Sequence, residues 1–101
     1  MAITSTISDD GAVLTINIEG RFDFSSHQEF RRAYENVSKA PAEYVVDMKA
    51  TTYLDSSALG MLLLLRDYAG GDSSNISIAN CNDDVKKILS ISNFEQLFTI
   101  K

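Results

Sequence analysis

Asp55-Ser56-Ser57 places two hydroxyls directly behind a carboxylate and runs straight into Ala58-Leu59-Gly60-Met61-Leu62-Leu63-Leu64-Leu65. An apolar run of that density anchors a helix, which leaves its polar start at the surface. A serine fixed at a helix N-terminus lies beside unpaired backbone amides and the positive end of the helix dipole, a setting that tolerates an added phosphate. The ordinary work of serine before such a helix is N-capping, which stabilises by about 0.5–2 kcal/mol. With a pair, one of Ser56 and Ser57 can cap while the other stays free to accept a phosphate.

Other chemistries fit the residues poorly. Nucleophilic catalysis needs a base within reach of the hydroxyl, and the chain holds a single histidine, His27, near the start of a different helical stretch. The residues around Ser56 also lack the flanking glycines of a nucleophile elbow. One histidine and one cysteine, Cys81, give no ligand spacing for zinc, and the aspartates lie on separate elements, so neither metal nor cofactor is expected. Gly70-Gly71 follows a helical stretch instead of opening one, which marks a stop and not a phosphate loop. A net charge of -5 with only isolated basic pairs, Arg31-Arg32 and Lys86-Lys87, excludes a nucleic-acid surface.

The elements that must position the serines are legible from periodicity. Leu14, Ile16 and Ile18 alternate with Thr15, Asn17 and Glu19 as in a half-buried strand, and Ile3 to Ser8 alternates more weakly. Asp9-Asp10-Gly11 between them predicts a tight hairpin turn. Phe30, Ala33, Tyr34 and Val37 then recur at helical spacing, with Ser26 and Glu29, or Ser25 and Gln28, as a capping box. Pro41 precedes a short strand, Tyr44 to Met48. The central helix is expected from about Ser56 or Ser57 to Tyr68, packed on more than one side because Met61 to Leu65 covers most of its circumference. Ile76 to Ala79 predicts another strand, Val85, Ile88 and Leu89 a helix capped by Asn82 or Asp83, and Leu97 to Ile100 a last strand.

The order β-β-α-β-α-β-α-β predicts an α/β fold: a mixed, mostly parallel sheet opened by a β-hairpin, with right-handed βα crossovers. Residues 1–101 fit one domain. The strand ends of such sheets share one edge, which is expected to gather Phe22-Asp23-Phe24-Ser25, Thr51 to Ser57 and Asn80-Cys81-Asn82 around the serine pair. The N-terminus has neither a basic start nor an apolar stretch, and no apolar run approaches the ~20 residues needed to cross a bilayer. A lone cysteine fits a reducing compartment, so a cytoplasmic protein without a membrane partner is expected.

Asp55-Ser56-Ser57-Ala58-Leu59-Gly60, together with Gly20-Arg21-Phe22-Asp23, resembles the signature of STAS-domain anti-anti-sigma factors, also called anti-sigma factor antagonists. The resemblance covers the whole chain in length and order of elements. It departs in two places: Ala58 stands where many relatives carry glycine, and the pattern ends on a strand where many carry a further helix. The resemblance implies a single STAS domain, 1–101, with no active site of its own. It implies that a partner serine/threonine kinase phosphorylates Ser56, the residue after the motif aspartate, with Ser57 the alternative, and that a PP2C-type phosphatase reverses this. Kinase and phosphatase can be domains of one response regulator. The unmodified form is implied to bind an anti-sigma factor and free the sigma factor, with Phe22, Asp23, Phe24, Ser25, Asp55, Ser56, Ser57 and Ala58 as docking face. Similarity to small regulators of gamma-proteobacteria adds an implied link to motility and biofilm choice. STAS-like domains also occur in transporters and sensors, so a nucleotide- or small-ligand-binding module is the alternative.

Overall fold

The structure is a computed structural model that describes residues 3–37 and 39–101. The alternating stretch forms strand β2 (Val13–Ile18), and Leu14, Ile16 and Ile18 are sealed from solvent. It pairs antiparallel with β1 (Ile3–Ile7), Ile3 opposite Ile18 and Ile7 opposite Leu14. The connection is longer than the tight turn expected. Gly11 takes a positive φ of 74°, while the Asp10 carboxylate accepts from Ser8 Oγ at 2.7 Å and from the Ala12 amide at 3.0 Å. A side chain that satisfies the loop's own donors removes the need for a two-residue turn.

After β3 (Gly20–Phe22) and α1 (His27–Glu35) come β4 (Glu43–Asp47), β5 (Thr51–Leu54) and α2 (Ser56–Tyr68). The chain continues through β6 (Ile76–Ala79) and α3 (Asp83–Ile91) to β7 (Thr99–Ile100). The main sheet runs β1-β2-β4-β6-β7, and every pairing after the first is parallel. Ile16, Val46 and Ile78 stand in register across it and are fully buried. Phe30 and Tyr34 of α1, Met61, Leu62 and Leu65 of α2, and Val85 and Leu89 of α3 complete one apolar core. This is the mixed, mostly parallel α/β architecture the periodicity predicts.

Four details differ from the sequence reading. β3 and β5 form a separate two-stranded parallel ladder, too short to stand out by alternation. No capping box opens α1: Ser26 is buried with its hydroxyl 3.5 Å from the Arg21 carbonyl, and Asp23 caps a 3-10 turn over Phe24–Ser26 instead. α1 ends at Glu35, before Val37. The final strand is only Thr99–Ile100, because Phe94 and Phe98 stack at 5.4 Å around a 3-10 turn and hold Leu97 out of the ladder.

The central helix also differs. Its outer face carries Leu63, 39% exposed, and Leu64, 51% exposed, so it is not wrapped on all sides. Five successive residues sweep roughly 400° of a helix, and the molecule offers that helix a single core to bury against. Among the described residues no helix is long and apolar enough to cross a membrane.

Candidate functional site

The short ladder brings the two acidic loops together. Gly20, with φ of 80°, lets the chain leave β2, and its amide donates to the Ala50 carbonyl at 2.8 Å. Thr51, itself buried, donates its hydroxyl to the Ile18 carbonyl at 2.8 Å and ties the foot of β5 to the main sheet. Phe22 then lies opposite Leu54, and the Asp55 amide donates to the Phe22 carbonyl at 3.4 Å. Asp23 and Asp55 therefore leave neighbouring strand ends as adjacent residues.

Each aspartate is spent on backbone. Asp55, in extended conformation, accepts from the Ala58 amide at 2.9 Å and is the N-cap of α2. Ser56 and Ser57 thus occupy the first two helical positions, and neither caps, contrary to the reading that one of the pair would. Ser56 is exposed and Ser57 half-buried, and neither hydroxyl makes a hydrogen bond among the described residues. Asp23 accepts from the Ser25 hydroxyl, the Ser25 amide at 3.0 Å and Arg21 Nε at 3.4 Å. The Ser25 hydroxyl foremost, with Arg21 and the amide, holds the Asp23 carboxyl below its ordinary value of 3.8, so it is ionised at neutral pH.

Not every expected docking residue reaches the surface. Phe22 and Ala58 are both fully buried; Phe22 packs its ring 5.0 Å from Phe30 under the loop, and Ala58 faces the core from the first turn of α2. They set the position of the face and are not part of it. Phe24 is 74% exposed and stacks on His27 at 6.4 Å, which places the single histidine against an aromatic ring. The loop at 80–82 makes its hydrogen bond to β5 at Thr51, ahead of the serine pair. Asn82 caps α3 through the Val85 amide at 2.8 Å and donates to the Thr51 carbonyl at 3.1 Å, so this loop braces the foot of β5. Cys81 beside it is partly buried, and burial pushes its thiol above the ordinary value of 9.0.

Periodicity missed two features of this face. The Arg21 guanidinium lies 4.2 Å from the centre of the Tyr53 ring, a pairing visible only once β3 and β5 are known to be neighbours. Leu64 and Tyr68 of α2 meet Tyr34 and Arg31 of α1 along a shallow groove of about 240 Å³. Among the described residues no group of three His, Cys, Asp or Glu side chains is placed to hold a metal. What the arrangement offers is an outward, unencumbered hydroxyl on a rigid helix start, flanked by two fixed carboxylates, a cation and exposed aromatic rings.

Comparison with known proteins gives this geometry a context. A family model described as "Mlab, STAS domain" matches residues 5–99. A STAS-domain containing protein of Pseudomonas aeruginosa (strain UCBPP-PA14) is 66% identical over 100 residues, covering 99% of either chain. Among solved structures, an anti-sigma factor antagonist from Mycobacterium paratuberculosis superposes with a TM-score of 0.76 at 16% identity, over 98% of this chain and 85% of that one. The anti-sigma factor antagonist SpoIIAA in its unphosphorylated form gives 0.78 at 14% identity, over 99% and 88%. Bacillus SpoIIAA in the phosphorylated form gives 0.74 at 14%, over 99% and 91%. At such identities the structural likeness is one of fold.

Proposed function

The chain belongs to the STAS-domain family, and from that premise we propose that it is a phosphorylation-controlled anti-sigma factor antagonist with Ser56 as its switch. The unmodified form binds an anti-sigma factor in the cytoplasm and releases the sigma factor. A partner serine/threonine kinase closes the switch by phosphorylating Ser56, and a PP2C-type phosphatase, in some arrangements a domain of the same response regulator, reopens it. The protein itself performs no catalysis, and its output bears on motility and biofilm choice. The docking face is Asp23, Phe24, Ser25, Asp55, Ser56 and Ser57, supported from below by Phe22 and Ala58.

The observation that carries this reading is the free, exposed Ser56 hydroxyl, left available because Asp55 takes the cap. A residue that holds nothing in the fold can be modified without undoing the fold. Phosphorylation adds about -1.5 to -2 charge at neutral pH. The helix start favours that charge by about 0.3–1 kcal/mol, and repulsion from Asp55 opposes it by a similar amount, since unit charges ~4 Å apart in water interact by about 1 kcal/mol. An interface that must dry feels far more, because the phosphate has to shed water and face any acidic partner group. A loss of about 3–4 kcal/mol weakens a complex several hundredfold.

Pull-down of cellular partners by wild type, Ser56→Ala and Ser56→Asp tests this directly. Ser56→Ala is expected to lose kinase-dependent labelling and to retain the partner constitutively, and Ser56→Asp to retain it poorly. Labelling that persists in Ser56→Ala and disappears in Ser57→Ala moves the switch by one residue; equal capture by all three forms rejects it.

A further inference from the structure

We propose that β1 is a self-association edge, through which two copies of this chain pair antiparallel and join their sheets across a two-fold axis centred on Ser5. β1 is the first strand in the sheet order, and among the described residues nothing pairs with its outer side. The direction of its backbone groups follows from the hairpin. The Ser8 amide donates to the Val13 carbonyl at 2.9 Å and the Val13 amide to the Ser8 hydroxyl at 3.0 Å, which puts the Ser8 and Val13 pair in the bonded phase of the ladder. In an antiparallel ladder such pairs alternate, so Thr6 with Thr15 and Thr4 with Asn17 are the next bonded pairs inward. The N–H and C=O groups of Ile3, Ser5 and Ile7 therefore point away from β2.

Those three positions suit a second copy of the same strand. Centring the axis on Ser5 places Ser5 opposite Ser5 of the second copy and Ile3 opposite its Ile7, all at outward positions. Both outward sets meet in phase, giving about six backbone hydrogen bonds. Ile7, 44% exposed in the single chain, gains an isoleucine neighbour, and no charged residue lies anywhere in Ile3-Thr4-Ser5-Thr6-Ile7 to oppose the pairing. Proteins that must keep an edge strand single protect it with lysine, proline or a bulge, and β1 has none of these in its described register. The opposite edge, β7, is two residues long and offers no comparable template, so the assembly closes at two copies. The Ser56 turn belongs to the separate β3–β5 ladder, and it is not part of this contact.

One strand pair is a small interface, and small interfaces are weak, so sedimentation equilibrium should span about 10 µM to about 1 mM chain. The wild type is expected to approach twice its monomer mass at the upper end. Ser5→Pro removes an outward amide that β2 does not use, and is expected to stay monomeric with an unchanged far-ultraviolet spectrum. Ser5→Glu and Ser5→Lys, which place like charges opposite one another, are each expected to be monomeric, and an equal mixture of the two to regain the doubled mass. If Ser5→Pro fails to fold, the Glu and Lys pair decides alone. A wild type monomeric throughout, a Ser5→Pro or Ser5→Glu chain that associates like wild type, or a mixture no heavier than its parts overturns the proposal.

Discussion

Asp55, and not either serine, accepts from the Ala58 amide and caps the start of α2. Removing that carboxylate should therefore cost folding stability and removing the neighbouring hydroxyl should not. Asp55→Ala is expected to destabilise by about 0.5–2 kcal/mol, and Ser56→Ala to change stability by less than about 0.5 kcal/mol, both read from urea denaturation. Equal losses in the two variants would mean that the serine shares the cap. The sequence reading gave the cap to one of the two serines, because serine is a good cap before an apolar helix; aspartate is as good a cap, and Asp55 stands one residue earlier. Which of them takes the position is settled by where β5 ends, and that depends on a ladder with no alternation to read. Phe22 and Ala58 illustrate the same limit: motif membership marks both, yet one is a core ring and the other a small residue that lets the helix approach the core.

For the helix as an element, the five-residue apolar run splits into two populations. Leu62 and Leu65 are completely buried, while Leu63 and Leu64 look outward. Leu62→Ala is expected to cost about 2–5 kcal/mol through lost burial and the cavity left behind. Leu63→Ala should cost under about 1 kcal/mol, and a thermal melt showing the reverse order would place the helix in a different rotation. Uniform hydrophobicity hides rotation, since every phase of the helix looks alike to a periodicity argument. By contrast, Leu14, Ile16 and Ile18 fix both the type and the facing of β2, because a one-residue slip would send polar Thr15 and Asn17 into the core. The 3-10 turn at Phe24–Ser26 escaped because two overlapping serine patterns imitate a capping box there; the buried Ser26 hydroxyl faces the Arg21 carbonyl instead.

At the scale of the whole molecule, the apolar core is closed off from solvent while Ser56 is exposed at the helix start, so a charge added at that position enters solvent and not the packing. Phosphorylated and unmodified protein are expected to share one far-ultraviolet spectrum and to melt within about 8 °C of each other, the span that about 1 kcal/mol covers in a domain of this size. A wholesale spectral change on phosphorylation would refute a surface switch. The architecture was readable from the order of periodic segments, since alternating strands and helices admit few arrangements. The β3–β5 ladder was not, because it is built from three- and four-residue strands whose pairing is set by Gly20, Thr51 and Asn82 reaching across the chain.

Because an aspartate holds the end of the helix while its exposed neighbour makes no hydrogen bond among the described residues, position 56 is free to vary without loss of the helix start. Under the role proposed for Ser56, threonine there would keep a hydroxyl acceptor and alanine would remove it, with no compensating change required elsewhere in the fold. A start built this way separates the residue that keeps the helix in place from the one proposed to carry the signal.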